Sequence, residues 1–268
     1  MKSVNCNTSM SKYVNVKKHS RVDKTGTSNY MSTGIKDLDL ALQGGLKKEE
    51  VQVIKGRPST GKTNFITSLA CGLGQSGKKT LLFTPQNDTE KISQKMLAII
   101  SGISYYDISL GSLSDQDIEI LKCSSTSAIT NNISMVWEIN KIEDIINEAC
   151  QVKVAGGLDV IIIDSLELVK DKDNSCNKLL HTLKNLAVQL DVAIVVVSQI
   201  TGDNILDGEI ELESSGADIL IYLQNPEAEA KEFKVKYNVK LYVYQYTLGS
   251  PITVDLAYRP AMISFGSS

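Results

Sequence analysis

Eight consecutive residues, Gly56-Arg57-Pro58-Ser59-Thr60-Gly61-Lys62-Thr63, carry a spacing suited to holding phosphate. They fit G-x-x-x-x-G-K-[ST], and their setting strengthens the match. The β-branched run Val51–Lys55 ends directly at the loop, and Thr63–Leu73 reads as a helix, so the loop lies between a strand and a helix. Glycines let the backbone curl until its N–H groups face an anion, and the helix N-terminus adds its positive end. In such a loop Lys62 reaches the β- and γ-phosphates of a nucleoside triphosphate and the Thr63 hydroxyl ligates Mg²⁺. We therefore read Gly56 to Thr63, with the following Asn64, as the nucleotide-contacting residues, and ATP with Mg²⁺ as the ligands.

Two strand ends supply further chemistry. Asp164 closes the apolar run Val160-Ile161-Ile162-Ile163, which holds its carboxylate at a sheet edge. That position suits a group that helps to hold Mg²⁺ and its waters. Ser198-Gln199 closes Val192–Val197, and a glutamine there could sense a γ-phosphate and relay its presence to the next loop. A strand-end aspartate that merely caps the next element, and a polar residue at a strand exit, are the plainer alternatives.

The elements that must position these groups alternate. Strand-like runs at Val51–Lys55, Thr80–Phe83, Ile133–Trp137, Val160–Ile163 and Val192–Val197 are separated by helical patterns at Thr63–Leu73, Thr89–Ile100, Ile142–Val154 and Leu179–Leu190. Runs apolar on both faces, separated by helices, predict an α/β fold with a mostly parallel sheet covered on both sides. Val239–Tyr246, a turn at Gly249-Ser250-Pro251 and Ile252–Tyr258 predict a C-terminal antiparallel hairpin at the sheet edge.

The 268 residues, 42% of them hydrophobic, suffice for one such domain. Residues 1–30 hold six Lys or Arg and one acid, lack apolar periodicity, and read as a basic disordered tail ahead of a domain spanning 31–268. The rest of the chain carries 22 basic and 30 acidic residues, so its surface as a whole does not attract nucleic acid. Five scattered cysteines without a CxxC pair, and two histidines, His19 and His181, give no zinc-site pattern and suit a reducing cytoplasm. No run has the roughly 18 apolar residues of a membrane span, and the N-terminus lacks an apolar signal core.

With these residues in place, the chain resembles the RecA-like motor domain of DnaB-type replicative helicases, from about Met31 to the end. Ser32-Thr33-Gly34-Ile35-Lys36-Asp37-Leu38-Asp39 followed by Gly44-Gly45-Leu46 is similar to the family's entry to the first core strand, an entry that clock-type and recombination ATPases share. More specific are Gly56-Arg57-Pro58-Ser59, then Ser101-Gly102-Ile103-Ser104 with Gly111-Ser112-Leu113-Ser114-Asp115. Ile163-Asp164-Ser165-Leu166-Glu167-Leu168 and Val197-Ser198-Gln199 complete the match. The resemblance implies a RecA-like P-loop core and helicase or translocase activity in DNA replication. It also implies hexameric rings, single-stranded DNA and a replication protein as partners, and no membrane.

The departures bear on rate. In the family a catalytic glutamate follows the second core strand, and Gln86 stands at that position. Glutamine can orient a water but cannot take its proton as a carboxylate does. The family also carries a lysine and an arginine in the hairpin that reach a neighbouring subunit's γ-phosphate. Those positions are Gln245 and Thr247 here, and only Arg259 remains nearby to substitute. A trans arginine can be worth ~10³–10⁵ in rate. Where the family faces DNA, Lys170 and Lys172 after Asp164 are offset by Asp171 and Asp173, the segment after Gln199 is acidic, and Glu213 to Asp218 resembles a shortened third loop. Three functions follow: an active helicase or translocase; a degenerate nucleotide-binding paralogue with slow or no hydrolysis, acting in assembly or regulation; or a recombination or clock-type ATPase.

Overall fold

The computed structural model describes residues 29–84, 89–170, 176–200, 216–225, 235–245 and 250–267. The described chain opens with β1 (Tyr30–Met31), α1 (Lys36–Ala41) and β2 (Leu46–Lys47), a short antiparallel clasp. The core follows as β3 (Val51–Gly56), α2 (Lys62–Gln75), β4 (Thr80–Phe83) and α3 (Thr89–Ser101). Three short helices, α4 (Tyr105–Leu110), α5 (Asp115–Ser125) and α6 (Ala128–Asn131), precede β5 (Ile133–Val136). Then come α7 (Ile142–Gly156), β6 (Val160–Asp164), α8 (Cys176–Leu190) and β7 (Ala193–Gln199). The chain closes with β8 (Ile219–Gln224), β9 (Tyr237–Gln245), β10 (Ile252–Arg259) and β11 (Ser264–Ser267).

Among the described residues, nine strands form one sheet in the order β11-β10-β9-β8-β3-β7-β6-β4-β5. The six from β8 to β5 run parallel, and β9, β10 and β11 are antiparallel. The mostly parallel sheet and the C-terminal hairpin are as the sequence predicts. One detail differs: the hairpin is not the edge, because β11 pairs beyond it with register Arg259↔Ser264. β11 is four residues long and holds a phenylalanine and a glycine between serines, so no alternation marks it.

Alternation across the pleat explains why the central strands read as continuous apolar runs. Val51, Val53, Ile161, Ile163, Ile194 and Val196 enter the core beneath α7 and α8. Ile54, Leu82, Ile162, Val195 and Val197 enter the other core, against α2 and α3. α2 is buried nearly all round, with Phe65, Ile66, Leu69, Ala70 and Leu73 each at most 1% exposed. This burial fixes the loop that precedes it. Among the described residues, no helix is long and apolar enough to cross a membrane.

Candidate functional site: a phosphate-loop cleft at the strand ends

The C-terminal ends of β3, β6 and β7 lie side by side, in the registers Gly56↔Gln199 and Asp164↔Val197. Chain reversal at the end of β3 needs unusual backbone. Gly61 has φ +95° and Ser59 φ +63°, both in the left-handed region. A Cβ on Gly56 would stand 2.8 Å from Thr60 Oγ1 and 2.9 Å from the Leu223 carbonyl, so the loop starts with no room for a side chain. Thr60 Oγ1 donates to the Arg57 carbonyl at 2.8 Å, which closes the turn.

The loop delivers the chain to α2 with a bare N-terminus. Gly61 is the N-cap, no side chain caps the first N–H groups, and the first turn holds no acid. Such an end favours an anion. Lys62, the first residue of α2, donates from Nζ to the carbonyls of Gly56 and Arg57, both at 2.8 Å. Burial pushes the Lys62 ammonium below its ordinary pKa, against the opposing pull of Asp164 and Glu167. A partly desolvated cation over a curled loop attracts phosphate more strongly than one in water.

Thr63 Oγ1 donates to Asp164 Oδ2 at 2.8 Å, joining α2 to the end of β6 across 101 residues of sequence. Asp164 is 5% exposed. In the same ladder Phe83 pairs with Ile163, so Thr84 follows at the level of Asp164. Thr84 Oγ1 is buried and has no hydrogen-bond partner among the described residues. Lys95 on α3 lies close enough for the Asp164 charge to act on it, while burial lowers its pKa. The joined Thr63 hydroxyl and Asp164 carboxylate, with the Thr84 hydroxyl at the same level of the sheet, are oxygen donors of the kind Mg²⁺ takes. The residues present therefore fit a magnesium–triphosphate pair.

Pro58, Ser59, Gly61, Lys62, Thr63, Asn64, Asp164, Glu167 and Gln199 share one open cleft of about 660 Å³. The fold thus gathers the loop, the Asp164 carboxylate and the strand-end glutamine. Asn64 turns partly away, donating from Nδ2 to the Tyr258 hydroxyl at 2.8 Å. Gln245 Nε2 donates to the Ala41 carbonyl at 3.3 Å. Its register partner is Ile219, at the start of β8, so within one chain it stands at the opposite end of the strands from the cleft. Arg259 ends β10 beside Tyr258, facing Gly266 of β11. Gln86, Thr247 and the acidic segments 171–175 and 201–215 lie outside the described residues. Asp218 lies just ahead of β8, where its Oδ2 accepts the Val51 amide at 2.7 Å and both its oxygens accept from Lys184 Nζ at 2.7 Å. This carboxylate braces the start of β3 and does not line a channel.

Three residues of the site escape the sequence reading. Glu167 stands three residues beyond Asp164, and that spacing is a usable signal. Thr84 and Lys95 have none, because only the β4–β6 pairing and the packing of α3 on α2 bring them to Asp164.

The family model of the DnaB-like helicase C-terminal domain matches residues 31–205. The replicative DNA helicase DnaC of Bacillus subtilis is 24% identical over 258 residues, covering 88% of this chain and 56% of that protein. The replicative DNA helicase DnaB of Geobacillus stearothermophilus is 23% identical over 258 residues, again with 88% and 56% covered. The chain thus spans little more than half the length of these relatives. Among solved structures, an isolated ATPase domain superposes with a TM-score of 0.76 at 21% identity, covering 91% of this chain and 94% of that one. A DnaB-like replicative helicase studied with primase gives 0.75 at 21% identity, covering 91% and 65%. These neighbours share the mixed, mostly parallel sheet of a RecA-like fold. The chain belongs to the DnaB-like helicase C-terminal domain family.

Proposed function

We propose that this chain is a Mg-ATP-binding motor domain of the DnaB type, an ATP-dependent helicase or translocase domain acting on single-stranded DNA during replication. The observation that carries this reading is the Thr63–Asp164 hydrogen bond beneath the bare N-terminus of α2. It brings a metal-side pair to the mouth of a phosphate loop. The backbone N–H groups of residues 59–63 and the Lys62 ammonium bind and orient the triphosphate. Thr63 and Asp164 would hold Mg²⁺, which when bound neutralises charge on the β- and γ-oxygens. Gln199 reads the terminal phosphate. Assembly into a homo-oligomeric ring, by likeness to the family, and contact with a replication protein complete the reading, with the cytoplasm as its place.

Position 86 tempers the rate. With Gln86 where the family has glutamate, water can be oriented but its proton is not taken by a carboxylate there. Slow hydrolysis is the expected behaviour. The test is steady-state ATPase with single-stranded DNA, alongside equilibrium binding of a non-hydrolysable ATP analogue. Lys62→Ala is expected to abolish analogue binding, and Gln86→Glu to raise turnover by tenfold or more, toward the general-base contribution of ~10²–10⁴. Wild-type protein that fails to bind the analogue overturns the reading. Equal rates for wild type and Gln86→Glu would show that position 86 does not limit the chemistry.

A further inference from the structure

The site contains one carboxylate to which the reading above gives no task. Glu167 lies in the 3₁₀ turn Leu166–Leu168 that leaves β6. Its Oε1 accepts the Ser198 hydroxyl and the Gln199 backbone amide, both at 2.7 Å. Ser198 and Gln199 are the last two residues of β7. The Ile200 amide in turn donates to the Gly56 carbonyl at 3.2 Å, at the first residue of the phosphate loop. One carboxylate oxygen thus ties the exit of β6, which carries Asp164, to the exit of β7, which carries Gln199 and abuts Gly56.

We propose that Glu167 is a positioning residue: its carboxylate holds the Ser198–Gln199 exit of β7 against the Asp164 exit of β6, so that the Gln199 side chain meets the terminal phosphate of a bound nucleoside triphosphate from a fixed backbone. The inference rests on the proposal that this cleft binds Mg-ATP.

Three observations favour this role over a merely stabilising surface contact. Glu167 lines the cleft together with Lys62, Asp164 and Gln199. One of its bonds takes the backbone amide of Gln199, the residue whose side chain is to be aimed, and the other the hydroxyl of the preceding Ser198, and hydrogen bonds to an ionised acceptor are about twice as strong as neutral ones. The carboxyl is also kept ionised. Burial raises its pKa, but the Ser198 hydroxyl, the Gln199 amide and the Ser165 hydroxyl together outweigh burial and hold it below the ordinary glutamate value. Without this tie, the Gln199 amide at the end of β7 loses its carboxylate acceptor. An exposed side chain on a loose exit contributes less to selective binding, because its ordering then opposes binding.

The position of the tie gives it a further consequence. Segments 171–175 and 201–215 follow the two exits that Glu167 joins. Anything that moves Gln199 on nucleotide binding is communicated to the β6 exit through this carboxylate, and the reverse holds as well.

The experiment uses the full chain and measures, by isothermal titration, the ratio of affinities for a non-hydrolysable ATP analogue and for ADP, both with Mg²⁺. This ratio reports recognition of the terminal phosphate and does not require turnover. Glu167→Ala is expected to lower it by roughly tenfold, the scale of one charge-assisted hydrogen bond, with ADP affinity and melting temperature little changed. Glu167→Gln, whose amide oxygen can accept both donors, is expected to restore the ratio to within about threefold of wild type. Gln199→Ala and the double variant complete a cycle in which the two losses are not additive. The proposal is overturned by a wild-type ratio in Glu167→Ala, by equal losses in the Ala and Gln variants, or by additive losses with Gln199→Ala. Loss of ADP and analogue binding together in Glu167→Ala also overturns it, since Glu167 would then support the whole site. Failure of wild-type protein to bind either nucleotide is a different result, and overturns the ATP-binding reading itself.

Discussion

The β3–α2 unit and the α4–α5 segment are both marked by glycine and serine in the sequence, but they are held together by different forces. α2 buries ten of its fourteen residues between the sheet and α3. α4 buries none, and α5 buries only Ser124. The two short helices rely on local hydrogen bonds. The Ser104 hydroxyl caps α4 by accepting the Tyr106 amide at 3.2 Å, and Gly111 ends it at φ +69°. Ser114 and Asp117 cap α5 reciprocally, with Ser114 Oγ accepting the Asp117 amide at 3.2 Å and the Ser114 amide donating to Asp117 Oδ2 at 3.0 Å. The difference shows where the chain can support precise chemistry. A loop that curls around phosphate must be anchored by a helix that cannot shift, and only the unit packed into the core provides that.

Breaking each unit by its own support tests the contrast. The largest effect is expected from Phe65→Ala in α2. Phe65 is fully buried and meets Phe265 edge-on at 5.2 Å between centroids. Its loss is expected to cost about 3–5 kcal/mol in chemical denaturation. Leu110→Ala in α4, at a side chain 77% exposed, is expected to cost under about 0.5 kcal/mol. Comparable losses at the two sites would end the distinction. A smaller effect is expected from Ser114→Ala, about 1 kcal/mol, because it removes the α5 cap. Hydrogen exchange locates it: amides at the start of α5 lose protection while those of α2 keep theirs. A cap loss that spread to α2 would mean the two units unfold together. The smallest perturbation is chemical. Cys71 in α2 is buried, and desolvation pushes its thiol up to about 12. Cys123 in α5 is exposed. At pH 8 a thiol reagent is expected to modify Cys123 in native protein and to reach Cys71 only on unfolding. Equal rates would show that the β3–α2 packing opens readily.

Much of the parallel core is legible in the sequence because each central strand is apolar on both faces and each helix repeats near 3.6. Thr80–Phe83 matches its expectation at both ends, and the other core elements differ by one to three residues at a boundary. β8 escapes the reading although Ile219–Leu223 is a continuous apolar run, since it follows an acidic, glycine-containing stretch that reads as loop. α1, β1, β2, α6 and β11 are too short for periodicity to register. At the site, the phosphate loop can be read directly because a single turn of backbone makes it, and all of its chemistry lies within eight residues.

The amino-acid sequence by itself determined the glycine-rich loop at Gly56–Thr63 and the strand-end positions of Asp164 and Gln199. It did so because local backbone chemistry and strand termini depend on near neighbours. Tertiary structure alone decided that Thr63 meets Asp164, that Thr84 follows at its level in the ladder and Lys95 comes within reach of its charge, and that Glu167 ties β6 to β7. These contacts depend on strand order, and the order β3-β7-β6-β4 departs from the order in the chain. No spacing in the sequence encodes which strand ends become neighbours. That follows from how the two apolar faces of each strand are buried, and burial is a property of the whole sheet.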